Sequence, residues 1–344
     1  MGSISRVRID ASTACQLRCP SCPTASGEVG RKLGTSFLST EDFDKFLVNN
    51  PLVKDIELSN WGEIFLNPDL IEIMRLAFER NVRLHADNGA NLNSMAPGVC
   101  EALVKYQFRV VRCSIDGAGQ DTYATYRVRG DFDRVIENVK EINRYKSLYR
   151  SEYPKLHWQY IVFKHNIDEI KKARATAKQL NMSFGLKLDW GDLYGLSSPS
   201  PDSQSDEVAK ELGYASRTKF LQEFGRPYFQ KRSCSQLWLD PQINSDGRVL
   251  GCCVNHWADF GNAFTNTIDQ VFAGEKMTYA REMLMGKATA RTDIPCSSCS
   301  HYKAVAKAGK WMTDQDIVIQ KLAYKFPRLT RWLLAKLGLT HLLL

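Results

Sequence analysis

Residues 6–27, RVRIDASTACQLRCPSCPTASG, join a short run of alternating charged and β-branched side chains to a turn-rich loop that carries Cys15, Cys19 and Cys22. The run reads as a β-strand and the Pro, Ser, Thr and Gly after it as loop, so three thiols sit just past a strand's carboxyl end. A structural zinc site closes with four ligands. A 4Fe-4S cube held by three thiolates leaves one iron able to bind something else, and three cysteines on one loop suit that case.

Outward from this loop, the chain alternates strand and helix patterns as far as residue 190. Strands are predicted at DIELSN (55–60), VRLHAD (82–87), RVVRCSID (109–116), LHWQYIVF (156–163) and FGLKLDW (184–190). Helices are predicted to begin near Ser39, Pro68, Ser94, Phe132 and Ile167, the first opened by Ser39 with Asp42 three residues on, a capping-box pattern. Six strand-helix units in the α/β class, most of them about 25–30 residues apart, predict a partial (β/α)6 barrel of the TIM type rather than a doubly wound sheet. Ligands of either fold gather at the carboxyl ends of the strands, where the three cysteines fall.

Residues 191–233, beginning GDLYGLSSPSPDSQSDE, lose periodicity and read as a connecting or lid segment. A compact region with four spaced cysteines follows over 234–302, and a basic tail over 303–344 closes the chain. The formal charge of +8 is concentrated in that tail. Residues 301–344 hold eight Lys and Arg against Asp314 and Asp316, a surplus of +6, and no basic stripe interleaved with aromatics occurs elsewhere, so nucleic-acid binding is not expected. The start, MGSISRVRID, has no apolar run for a signal peptide and places Arg6 where a myristoylation motif needs Ser or Thr. A cytoplasmic protein is therefore expected. In that reducing setting ten cysteines with C-x-x-C spacings favour metal ligation over disulfides.

The C-x3-C-x2-C loop after the first strand of a (β/α) repeat resembles that of the radical S-adenosylmethionine superfamily. The resemblance implies that Cys15, Cys19 and Cys22 hold a 4Fe-4S cluster whose fourth iron is chelated by S-adenosylmethionine. Reduction of that cluster, by an external donor such as flavodoxin or ferredoxin, cleaves the sulfonium, and the 5'-deoxyadenosyl radical takes a hydrogen atom from substrate. NWGEIFLNPDL (60–70) is similar to the family's G-G-E-P segment, which assigns Glu63 to the cosubstrate's amino group, although Trp61 and Ile64 replace Gly and Pro. DNG (87–89) is similar to the family's T-N-G and implies Asn88. CSIDG (113–117) and YRVRGDF (126–132) imply Ser114 and Arg127 near the cosubstrate, with Arg129 an equally placed cation. The residue before the third cysteine, usually aromatic in the family and stacked near adenine, is Ser21, so another apolar group must wall the adenine. The alternative for the loop is a structural zinc completed by a distant ligand.

Cys234, Cys252, Cys296 and Cys299, with INSDGRVLGCCVNHW (243–257) reading as a hairpin about Asp246-Gly247, resemble the SPASM and twitch domains of many such enzymes. FGNAFTNTIDQVFAG (260–274) is similar to their glycine-asparagine hairpin and short helix. The resemblance implies one auxiliary 4Fe-4S cluster, with structural zinc as the alternative. Cys253 is spare and is a candidate hydrogen-atom donor to a substrate radical. By the period-two rule Cys113 faces the helices if Ser114 and Asp116 face the barrel interior, and Cys100 lies on an apolar helical stripe. His85 and His157 read as structural; His165 with Asn166 at a strand end, and His256 with Trp257, are candidates to contact cosubstrate or substrate. In the tail, Pro327 opens a helix with Leu329, Trp332, Leu333 and Leu337 on one face and Arg328, Arg331 and Lys336 along its edge. Docking of that face on protein is the favoured expectation, with an anionic membrane as the alternative.

The expected activity is oxidation or epimerisation of a small polar substrate, of sugar or aminocyclitol type, because the loop starts at Cys15 and leaves no room for a peptide-recognition domain before it. Peptide modification is the second reading. A non-catalytic iron-sulfur or zinc protein acting through its tail is the third.

Overall fold

The computed structural model describes residues 3–188, 208, 211–212, 222, 234–326, 329–330, 333 and 336. The expected connecting segment at 191–233 lies almost wholly outside the described residues, as do Asp189 and Trp190 of the last predicted strand.

Strands β1 (Arg6–Ile9), β2 (Asp55–Glu57), β3 (Arg83–Ala90), β4 (Val110–Ser114), β5 (Lys155–Val162) and β6 (Ser183–Leu188) form where the sequence pattern puts them. They make one open parallel sheet in the order β6-β5-β4-β3-β2-β1-β7, consistent with an incomplete barrel. A seventh strand joins the six expected ones. β7 (Gln242–Ile243), from the second cysteine region, pairs in parallel with β1 through Arg8↔Gln242 and Ile9↔Ile243, because β1 otherwise leaves an unpaired edge.

The sheet has two unlike faces. Val7, Ile9, Ile56, Leu84, Val111, Cys113, Trp158 and Tyr160 are buried in the main apolar core. The crossover helices supply its other half: α2 (Thr40–Asn49), α3 (Leu70–Glu79), α4 (Val99–Lys105), α5 (Gln120–Tyr126), α6 (Phe132–Leu148) and α7 (Ile170–Gln179), while α1 (Glu28–Leu33) packs Val29 and Leu33 against Leu250 in a separate cluster. Alternation sends the intervening residues to the concave face, and the register aligns Arg8 with Glu57 and His85, Arg112 with His157, Ser114 with Gln159, and Ile161 with Lys187. His85 bonds Asp55 and His157 bonds Ser183, the structural roles expected. Cys100 is buried in the core beside Leu103 and Val104.

Two helix starts differ in detail. Ser39 caps α2 by accepting from Asp42 N at 3.1 Å, and the Asp42 carboxylate accepts from the Ser39 hydroxyl at 2.9 Å. The helix expected near Ser94 begins only at Val99, because Pro97 disfavours helix before it and Gly98 takes φ +87°.

The second region opens with α8 (Gln236–Leu239), continues through a tight turn with Gly247 at φ +85°, and adds α9 (Ile268–Ala273), α10 (Glu275–Leu284) and α11 (Ser300–Ala308). Thr267 and Gln270 form a full capping box on α9. In the tail, α12 (Asp314–Lys325) packs Ile317 into the core. Of the face expected to dock on protein, Leu329 and Leu333 are about half exposed in the single chain. Pro327, Arg328, Arg331, Trp332 and Leu337 lie outside the described residues. Among the described residues no helix is long and apolar enough to cross a membrane.

Candidate metal centres

The loop after β1 is pinned from both sides. Thr13 Oγ1 donates to Gly34 O at 3.1 Å, and Glu63 N donates to Ala14 O at 2.7 Å, which ties the segment after β2 beneath the cysteines. That approach explains Gly62: a Cβ there would strike Ser12 O and stand 2.7 Å from Ala14 O. It also explains why Trp61 is tolerated beside it. The indole turns outward onto Val29, Leu33 and Leu250 and meets the His256 ring edge-on at 5.3 Å.

Within the loop Cys22 N donates to Cys19 O at 3.0 Å, and Cys15 and Cys22 pack against a small apolar cluster of Leu17, Cys19, Tyr126, Ile161 and Phe163. Burial pushes the Cys15 thiol up to about 12, with Glu63 adding to it, so the thiol keeps its proton until a metal displaces it. The Glu63 carboxyl is buried, accepts from Asn91 N at 2.6 Å and Phe65 N at 3.2 Å, and is raised to about 7 by desolvation. Asn91, which sequence reasoning passed over, extends its amide to within 3.8 Å of Cys15 Sγ and accepts from Gln16 at 2.9 Å. Of the two candidate cations, Arg127 is the one that reaches the loop. Its Nη1 stands 3.8 Å from Cys19 Sγ while its Nε donates to the fully buried Asp116 at 2.6 Å.

Ser21 does not leave the loop without aromatic company. Its hydroxyl is 2.6 Å from the Tyr126 hydroxyl, the Tyr126 and Phe163 rings are 4.4 Å apart, and His165 stacks on Phe163 at 5.4 Å. These rings come from α5 and the end of β5, a distance in sequence that no local pattern reveals. Asn166 is not available to a ligand: it accepts from Phe163 N and donates to the carbonyls of Ile161 and Asp116, closing the β5 turn. Ser114 lies on the concave face under Gly89, where a Cβ would be 2.6 Å from its Oγ. Asn88 is not brought to the cysteines either. Its amide bonds Asn60, and Asn60 donates to Cys253 O at 3.2 Å, so the pair ties the sheet to the second cysteine region.

There, Cys234, Cys252, Cys296 and Cys299 border one pocket walled by Leu237, Leu250, Trp257 and Phe260. Cys299 N donates to Cys296 O at 3.0 Å, the same turn as in the first loop. Burial raises the Cys252 thiol to about 12 and raises Cys296 as well. Four thiols around an apolar pocket, and three on a loop beside a buried carboxyl, are donor sets that fit iron-sulfur clusters. Among the described residues no three His, Cys, Asp or Glu side chains converge on a single-ion position.

Cys253 parts from its neighbour. It is absent from the pocket wall; its N–H donates to Gln236 Oε1 at 3.0 Å and its carbonyl accepts from Asn60. Lys187, also passed over in the sequence, has its amine lowered to about 8 by burial and the nearby Arg112. His256, a candidate to contact cosubstrate or substrate, bonds Glu28 of α1 at 2.9 Å and so latches the hairpin to the first loop's helix.

The family model described as an iron-sulfur cluster-binding domain, SPASM, matches residues 234–300. A search of curated proteins finds no match. The structure is similar to Streptococcus suis SuiB bound to S-adenosylmethionine, at 15% identity and a TM-score of 0.59 over 88% of this chain and 72% of that one. SuiB bound to precursor peptide SuiA gives 13% and 0.59 over 88% and 71%. BtrN in complex with AdoMet and 2-DOIA gives 15% and 0.48 over 87% and 94%. A three-cysteine loop at the carboxyl end of β1 in an open parallel sheet thus precedes a region that matches the iron-sulfur cluster-binding SPASM domain, on a fold similar to that of SuiB.

Proposed function

We propose that the chain is an enzyme with a 4Fe-4S cluster on Cys15, Cys19 and Cys22, S-adenosylmethionine on that cluster's open iron, and an auxiliary 4Fe-4S cluster on Cys234, Cys252, Cys296 and Cys299. Its substrate is a small polar molecule of sugar or aminocyclitol type, held on the concave face of the sheet for oxidation or epimerisation. The barrel part runs to residue 190, the auxiliary part over 234–302 and the tail from 303.

When bound, the first cluster and S-adenosylmethionine supply a reductively generated 5'-deoxyadenosyl radical, with electrons from an external donor of the flavodoxin or ferredoxin kind. The protein's own part is positioning. Glu63, once ionised, offers a buried acceptor for an ammonium group. Arg127 places a fixed positive charge beside Cys19. Tyr126 and Phe163 offer the rings that Ser21 lacks for stacking a purine.

The observation that carries the substrate reading is the parting of two adjacent cysteines: Cys252 borders the auxiliary pocket, while Cys253 is outside its wall and its carbonyl accepts from Asn60, in the segment after β2. A face carrying Arg8, Arg112, Ser114, Gln159 and Lys187 suits a hydroxyl-rich ligand. Anaerobic reconstitution followed by dithionite and S-adenosylmethionine tests the reading. Iron at both sites and release of 5'-deoxyadenosine are expected, with faster release in the presence of a sugar or aminocyclitol substrate. Zinc with no nucleoside would sink the enzyme; acceleration by peptides alone would sink the substrate class. If Cys253 returns a hydrogen atom, Cys253→Ala loses the epimer; unchanged turnover removes that role.

A further inference from the structure

The charge and the exposed apolar surface of this protein meet in one place. From Ile317 to Leu344 the chain carries Lys321, Lys325, Arg328, Arg331 and Lys336 and neither Asp nor Glu. Ile317 is buried in the main core and Thr330 is buried too, so part of this segment is held by the body of the protein. The other side is not. Val318, Leu322, Phe326, Leu329 and Leu333 are 45% to 54% exposed, whereas large apolar side chains elsewhere on the described surface stand singly or in pairs.

Residues four apart share a helix face, so Val318 and Leu322 make one apolar strip on α12, and the exposed Leu329 and Leu333 lie beyond Phe326. The Lys325 ammonium lies 5.4 Å over the Phe326 ring, its stem along apolar surface and its charge outward.

We propose that the segment from Ile317 onward is an interfacial anchor that lays these apolar side chains on an anionic lipid bilayer. Five cations without a single anion complement anionic headgroups, each adding about fivefold to binding near such a surface. Leucines flanked by lysine and arginine are the makeup of helices that lie at the headgroup boundary. A protein partner fits less well, because lysine is depleted at the cores of protein interfaces. Burial of Ile317 fixes which way the strip on α12 faces: the core-facing side holds the helix to the body of the protein and leaves Val318 and Leu322 outward.

Sedimentation of the full chain with phosphatidylcholine vesicles, with and without phosphatidylglycerol, tests this without any cluster or substrate, so its outcome is separate from the proposed reaction. Binding is expected to be at least about tenfold tighter with phosphatidylglycerol and to weaken as salt rises. The double variant Leu322→Glu with Leu329→Glu, at exposed positions, is expected to bind at least about tenfold more weakly with an unchanged melting temperature. Lys321→Glu with Lys325→Glu is expected to lose the preference for phosphatidylglycerol. Binding indifferent to phosphatidylglycerol, vesicle binding untouched by the variants, or no vesicle binding together with a dimer that the leucine variants disperse would each overturn the proposal.

Discussion

The Nη1 of Arg127 stands 3.8 Å from Cys19 Sγ while its Nε bonds Asp116 at 2.6 Å, so one side chain joins a buried carboxylate to the cysteine loop. Asp116 also accepts from Ile161 N at 2.7 Å. Removing Arg127 strands that carboxylate in a fully buried place, which costs about 3–5 kcal/mol. Arg127→Met is therefore expected to melt well below the parent. Arg127→Met with Asp116→Asn should recover much of the loss, since asparagine still accepts from Ile161. Equal melting of the single and double variants would show that the ion pair is not what the site relies on.

Cys252 and Cys253 should separate by metal analysis. Cys252→Ala removes a thiol from the pocket shared with Cys234, Cys296 and Cys299, and is expected to lose the auxiliary site's share, about half of the bound iron. Cys253→Ala is expected to keep all of it. Equal iron loss from both variants would contradict the parting of the two side chains.

What the sequence displayed and what it hid divide by distance along the chain. The six strands, the cap at Ser39, the C-x-x-C turns and the outward Cys113 are each written in a few consecutive residues, because strand alternation and turn chemistry are local. β7 joining β1, the ring of Tyr126 beside Ser21, Asn91 at Cys15 and the Asn88–Asn60–Cys253 link all join residues far apart, and no periodicity encodes such contacts. The bond of His256 to Glu28 belongs with them, since the two residues lie far apart in the sequence.

Gly62 should be intolerant of even one methyl group. A Cβ would meet the carbonyls of Ser12 and Ala14, backbone atoms that cannot swing aside as a side chain end can. Gly62→Ala is expected to cost at least about 1–3 kcal/mol and to loosen the bond from Glu63 N to Ala14 O. Gly34→Ala makes a useful contrast, because a Cβ there meets nothing within 4 Å, although its φ of +80° still carries backbone strain. The measurement is iron bound per chain alongside melting temperature. The Gly62 variant should lose both, and the Gly34 variant should keep its iron.

Asp10 predicts a pH dependence of the metal-free protein. Its carboxyl, fully buried past the end of β1, is raised from 3.8 to about 7 chiefly by desolvation, with Glu57 pushing the same way. The bonds from Trp61 N and Gln242 Nε2 and the charge of Arg8 oppose that rise. A carboxyl whose native pKa lies above its unfolded value favours the fold while both states are protonated, and that contribution is lost as pH climbs from about 4 through about 7. Each pH unit in that window costs up to about 1.4 kcal/mol. Asparagine carries no charge at any pH and can still accept from Trp61. The melting temperature of Asp10→Asn relative to the parent is therefore expected to rise between pH 5 and about pH 8. Glu63, raised likewise to about 7, should leave a residual downward slope in the variant. Melting curves that stay parallel across the whole range would mean that Asp10 does not titrate there.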